Sequence, residues 1–109
     1  MAATKQVTLA ASAATTLHNG GDDVVTSVVF QVSSASSLST IPRAAVDGSG
    51  QTPANVAYYN VLTGATVSAG TAITANGVYA VYAPGCVVDV NTSAGSATVD
   101  IQRLIGKAF

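Results

Sequence analysis

The chain has 109 residues, enough for one compact domain and too few for two. Charged residues make up only 8%, against about a quarter in typical globular proteins. The cations are Lys5, Arg43, Arg103 and Lys107, the net charge is −1, and no glutamate is present. A clustered phosphate-binding surface is therefore excluded, and nucleic acid is not an expected partner. So few charges cover a small monomer poorly, which points to an oligomer or an assembly component. A single cysteine, Cys86, forms no intrachain disulfide, so stability has to come from packing and strand pairing. Threonines and serines interrupt the alanine-rich opening MAATKQVTLAASAATTL, so it reads neither as a cleaved leader nor as a membrane span.

Along the chain, Thr4 to Ala11 alternates with period two and predicts a strand with Val7 and Leu9 facing the core. Asn19-Gly20-Gly21 predicts a turn. From Val24 to Ser33, Val24, Thr26, Val28, Phe30 and Val32 share one face, and Val25 and Val29 lie on the other. The polar run SSASSLSTIP follows, anchored by Leu38 and Ile41, and leads to a short strand at Arg43 to Val46. The clearest loop is DGSGQTP, and VAYYNVL, Val56 to Leu62, reads as a strand ended by Thr63-Gly64. Val67 and Ile73 flank a bend at Ala69-Gly70, and Asn76-Gly77 marks another turn.

In NGVYAVYAPGCVVDV, a reversal at Ala83-Pro84-Gly85-Cys86 would pair Val81 with Val88 and Tyr79 with Val90, making one apolar face. Pro-Gly also suits a type II turn, which leaves open an arch between sheets. A loop at TSAG, Thr92 to Gly95, would set Val90 opposite Ala97 in a last strand SATVDIQRL. The expected fold is all-β: a single-domain β-sandwich over residues 1–109 with about seven or eight short strands, jelly-roll connectivity being one compatible topology.

Residues able to carry chemistry are few. Cys86 and His18 are the sole thiol and imidazole, and their spacing gives no sign of a nucleophile-base pair. Cys86 reads as a small core residue beside the turn and His18 as a polar turn residue. Asp89 and Asp100 could stand at the ~5–9.5 Å of an acid-base pair if on neighbouring strands, but they read as solvent-facing strand residues. Asp47-Gly48-Ser49-Gly50 lacks the regular ligands and closing glutamate of a calcium loop. No catalytic residue, cofactor or metal site is expected. Among the tyrosines, Tyr79 is assigned to the core, leaving Tyr82 and one of Tyr58 and Tyr59 for an exposed surface.

The segment GTAITANGVYAVYAPGCVVDVNTSAGSATVDIQRLIG, residues 70 to 104 and their immediate flank, resembles a pattern in small virion proteins of tailed bacteriophages. There an "ITANG-Y-V" strand start precedes a valine-rich strand, a small-residue turn and a final "G-S-A-T-V" strand. The resemblance implies a structural, non-enzymatic role on the particle. Capsid cement or decoration proteins of this kind are commonly trimers that clamp the major capsid protein at the capsid surface after assembly in the host cytoplasm. The alternative is a β-sandwich module of a tail or fibre that binds a host receptor or carbohydrate. A third class, a small hydrolase, would depend on Cys86, His18 or Asp89. For assembly contacts the residues singled out are Val25, Val29, Tyr59, Tyr82, Leu104, Ile105 and Phe109.

Overall fold

The computed structural model describes residues 3–19, 25–46 and 52–105, and the side chains of all of these but 3, 4, 25, 26 and 103–105. Among the described residues eight strands make one antiparallel network: β1 (Ala3–Ala10), β2 (Ala13–His18), β3 (Val25–Ala45), β4 (Ala54–Asn55), β5 (Tyr58–Asn60), β6 (Ala65–Val67), β7 (Gly77–Tyr82) and β8 (Val87–Ile105). Among the described residues all regular structure is strand, and no helix is long and apolar enough to cross a membrane. The fold is all-β, as its alternating, β-branched sequence requires.

Two strands are not short. β3 runs for 21 residues and β8 for 19, and they pair along their whole length. β1 and β2 follow one another down the other side of β8, broken only at Ala11-Ser12. All three lines bend at the same level. The register of β3 on β8 slips between Ser33 and Ser36, between Ser36 and Ser39, and between Ser39 and Thr40. Left-handed backbone gathers there: Ser12 at φ 62°, Ser34 at 55°, Ser37 at 49° and Gly95 at 77°. Extra residues in a ladder bend the bulged strand and increase its twist, so this line is a crease.

The crease folds the sheet onto itself as a sandwich. One leaf holds β1, the end of β8, the start of β3, β7, β5 and β6; the other holds β2, the start of β8, the end of β3, and β4. Leu9, Val28, Phe30, Val32, Tyr79, Val81, Val99 and Ile101 from the first leaf join Leu17, Leu38, Ile73, Val88 and Val90 in one buried cluster. Thr40 and Thr92, paired across the second leaf, are wholly buried with their hydroxyls 2.9 Å apart, so neither oxygen is left unsatisfied.

The serine run and the ITANG segment meet at the crease. Asn76 Oδ1 accepts from the Ala35 N–H at 2.9 Å, which supplies a partner for an amide at the slipped register. Ser33 Oγ donates to the Thr98 carbonyl and Ser93 Oγ to the Ser39 carbonyl, both at 3.4 Å. Ile73 exchanges both backbone hydrogen bonds with Thr40, at 3.2 and 2.7 Å. Tyr79 Oη donates to the Ala75 carbonyl at 3.0 Å, and its ring lies so close over Gly77 that a Cβ there would stand 2.9 Å from that oxygen. Tyr79 also packs against Phe30 and edge-on against Tyr58, each with centroids 5.8 Å apart.

Several local expectations change. The polar run SSASSLSTIP is the bent middle of β3, and the short strand expected from Arg43 is the end of that same strand, to Ala45. TSAG is likewise the bend within β8, so Val90 faces Thr15 and Pro42, and Ala97 faces Leu9. The hairpin at Ala83 to Cys86 is absent. Tyr79 pairs with Phe30 and Asn60, and Val81 with Val28. The reversal itself is present: Cys86 N–H donates to the Ala83 carbonyl at 3.1 Å with Gly85 at φ 71°, a type II geometry that splays the strands into an arch between the leaves. VAYYNVL contracts to Tyr58–Asn60, because Asn60 Oδ1 accepts from the Leu62 and Thr63 amides and turns the chain. The turn at Asn19-Gly20-Gly21 and most of DGSGQTP lie outside the described residues.

Gly95 should be the least replaceable residue of the crease. A Cβ there would collide with the carbonyl oxygens of Ser36 and Ser37, on a backbone that L side chains rarely adopt. Gly95→Ala should cost about 3 kcal/mol, combining left-handed strain with overpacking, and lower the midpoint of thermal unfolding by ~10 °C or more. Ser12→Gly, at an exposed left-handed site, should leave it within a few degrees.

The buried tyrosines predict an alkaline limit. Burial raises the pKa of Tyr58 and Tyr79 above the ordinary 10.0, and the charge of Tyr79 adds to the effect at Tyr58. The folded state then holds these protons more tightly than the unfolded state, so their contribution is complete below pH ~10 and is lost above it. Urea unfolding between pH ~8 and ~11 should show stability falling above pH ~10, less steeply in Tyr58→Phe/Tyr79→Phe.

Candidate interaction face

Period-two alternation buries one side of the first leaf and presents the other. On β3 it sends Ser27, Val29 and Gln31 outward, and on β7 Val78, Ala80 and Tyr82. Register then aligns them: Val29 with Ala80 and Ala80 with Tyr59 in one row, Ser27 with Tyr82 in the next. Tyr59 and Tyr82 are 43% and 66% exposed, large values for aromatic side chains on a sheet. Between them lies a groove of about 320 Å³, bordered by Ser27 and Thr66, with the small side chain of Ala80 opening its floor. A smaller hollow of about 180 Å³ lies on the same face beside Val29, Val78 and Gln102.

Polarity changes across this face. Toward β1 it is polar and uncharged apart from Asp100, whose Oδ1 accepts from Gln6 Nε2 at 2.8 Å. Toward β5 it is apolar and aromatic, extended by Leu62 and Val61 in the β5–β6 turn, 70% and 44% exposed. A surface of this kind binds by burying tyrosine and aliphatic area while the phenol hydroxyls keep a polar partner.

Of the residues singled out in the sequence, Val29, Tyr59 and Tyr82 come together here. Tyr59 rather than Tyr58 is the outward member of its pair; Tyr58 is buried, and its hydroxyl donates to the Thr71 carbonyl at 3.0 Å. Val25 and Ile105 pair across β3 and β8, and Leu104 pairs with Ser27, so Leu104 and Ile105 are part of the sheet; the side chains of these three are outside the described set. Phe109 lies outside the described residues. The exposed Leu62 and Val46 escaped the sequence reading, and the Asn60-to-Gly64 turn is the signal that would have placed Leu62 outside.

Of the groups able to carry chemistry, Asp100 lies at the polar side of this face, and Asp89, His18 and Cys86 lie elsewhere. Asp89 and Asp100 are on the same strand, on opposite sides of the crease, not on neighbouring strands as an acid-base pair would need. Asp89 is not solvent-facing: it is 7% exposed and accepts two hydrogen bonds from Arg43, from Nε at 2.9 Å and Nη2 at 2.7 Å. Those hydrogen bonds raise the Arg43 pKa; partial burial opposes the shift and the carboxylate charge adds to it. His18 is buried in β2 opposite Val88, not a polar turn residue, and Cys86 is half-buried in the arch. Among the described residues no three His, Cys, Asp or Glu side chains gather. The Asp47 loop lies outside the described residues.

No protein-family model and no curated protein matches the sequence. The fold is similar to the crystal structure of the SPBc2 prophage-derived protein YomS, with a TM-score of 0.57 and 12% identity over 95% of this chain and 96% of that one.

The Arg43–Asp89 pair ties the end of β3 to the start of β8, with side-chain exposures of 21% and 10%. Asp89→Ala would leave a guanidinium partly buried without its carboxylate. The expected loss is about 2–3 kcal/mol, measured by urea or thermal unfolding, and Arg43→Ala should cost a similar amount.

Proposed function

We propose that the chain is a non-enzymatic structural protein of a bacteriophage particle, and that it acts as a capsid cement protein whose partner is the major capsid protein. It would assemble in the host cytoplasm and work at the capsid surface. The observation that carries this reading is the sheet face on which Val29, Tyr59, Tyr82 and Leu62 are presented with almost no charge. Likeness of fold over nearly the full length of a prophage-derived protein supports the phage setting. Mechanistically, each molecule buries a modest apolar patch against the shell. Repetition over many sites makes opening the shell costly without any single strong contact.

A second reading is favoured by the groove between Tyr59 and Tyr82. Two exposed phenol rings flanking a depression of about 320 Å³ suit the face of a sugar ring, which would make the chain a tail or fibre module that binds a host glycan.

The purified chain should bind expanded, undecorated heads and raise their resistance to heat or detergent. Tyr59→Ala/Tyr82→Ala should abolish binding while changing unfolding stability by less than about 0.5 kcal/mol per site, as expected for exposed side chains. Binding to tails, cells or a glycan array, with none to heads, would overturn the cement reading in favour of the second.

A further inference from the structure

Most edges of the folded sheet are closed to pairing. β6 offers three residues and β4 two, with Pro53 just before it, and β2 is interrupted by a bulge between Thr16 and His18. Short length, proline and bulges are how proteins keep sheet edges from joining. β1 is different. Its eight residues pair with β8 without a slip, and among the described residues no strand covers its other side. It therefore presents an extended row of unpaired backbone donors and acceptors, guarded by one charge, Lys5.

We propose that β1 pairs antiparallel with β1 of a second copy, about a two-fold axis at Val7, joining the two first leaves into one continuous sheet. Length selects the occupant. An eight-residue edge is matched by the same edge of another copy, and by neither β4 nor β6. A three-fold ring needs a head-to-tail contact, which would set β1 against one of those mismatched edges; a two-fold contact sets it against itself.

Lys5 selects the register. Pairing about Gln6 would leave the two lysines offset by two residues on the same face, about 7 Å along the strands. Pairing about Val7 puts Lys5 opposite Leu9 of the other copy and offsets the lysines by four residues, about 13 Å, beyond the ~8 Å screening length at physiological salt. The remaining pairs are compatible. Val7 meets Val7, a favourable β-branched pair, and exposed Gln6 meets exposed Thr8, amide against hydroxyl with no charge. The same contact places two Tyr59/Tyr82 strips on one sheet, at its two ends.

Light scattering and sedimentation equilibrium on the full chain test this without any capsid, so the result is independent of the cement reading. The expected mass is twice 10.7 kDa at tens of micromolar. Gln6→Lys/Thr8→Lys, at exposed positions, should give a monomer with an unchanged β-type circular dichroism spectrum, because it sets lysine against lysine twice. In a Cys86→Ser background, Val7→Cys should oxidise to a covalent dimer, while Thr8→Cys, offset by two residues from its counterpart, should not. A monomer at all concentrations overturns the proposal. So does a trimer, a dimer that survives the double lysine variant, or cross-linking at position 8 in place of position 7.

Discussion

The close passage of β8 over β3 at the crease, Gly95 against the carbonyls of Ser36 and Ser37, is the constraint on which the molecule depends. Strands of 21 and 19 residues left straight would form a flat ribbon with one apolar face in water. Bending both at one level turns that face inward and makes an interior from a single sheet. Keeping the right side chains inside requires phase adjustments. In β8 the core-facing positions are even before the bend, Val88, Val90 and Thr92, and odd after it, Ala97, Val99 and Ile101. In β3 they remain even, Val28, Phe30 and Val32, then Leu38 and Thr40, because the three slips of the ladder leave a net shift of one residue, which the phase change of β8 takes up. Serine suits the slipped positions because its hydroxyl bonds to nearby backbone and its small side chain tolerates the crowding.

This explains why the faces of the strands were legible in the sequence and their partners were not. Alternation identifies which side of a strand is buried, and Leu9, Tyr79, Val81, Val88 and Val90, placed on the inner face, are all buried. It carries no information about the neighbouring strand. A phase change between Val90 and Ala97 has the same sequence signature whether it is a hairpin turn or a bend in one strand, and the local choice is the hairpin. For β7 and the start of β8 the error has the same origin: adjacent in sequence and both inward-facing, they lie in different leaves, on either side of an arch. Asp89 failed for a related reason. It occupies a polar position of an alternating strand and is covered by Arg43, which the chain brings from 46 residues away.

The ITANG-Y segment, which carried the resemblance to virion proteins, acquires a physical role in the crease. Ile73 bridges to Thr40, Ala75 accepts the Tyr79 hydroxyl, Asn76 serves the Ala35 amide, and Gly77 makes room for the Tyr79 ring. Ile73, Ala75, Asn76 and Gly77 are thus used in holding the bent β3 and the Tyr79 ring beside it. The motif therefore marks an architecture. Whatever recognition the chain performs has to come from positions the motif leaves free, and Val29, Tyr59 and Tyr82 are such positions. The sequence singles out Tyr59 from a two-tyrosine run whose period leaves either residue possible, and the three-residue register of β5 turns Tyr59 outward.

Charge is scarce in this chain, and the described carboxylates are occupied. Asp89 holds Arg43, and Asp100 is bonded by Gln6. Long-range steering is thus a weak contributor to any encounter, and affinity has to come from apolar and aromatic area placed in register. Placement then matters more than strength. In the order β1-β8-β3-β7-β5, the open edge and the tyrosine strip are three to four strand spacings apart, about 14–19 Å. A contact along the edge leaves the strip uncovered, and a partner on the strip leaves the edge free to pair. Joining copies at the edge would therefore multiply the tyrosine strips without consuming them, which is how a weakly charged surface with modest individual contacts can hold a repetitive target.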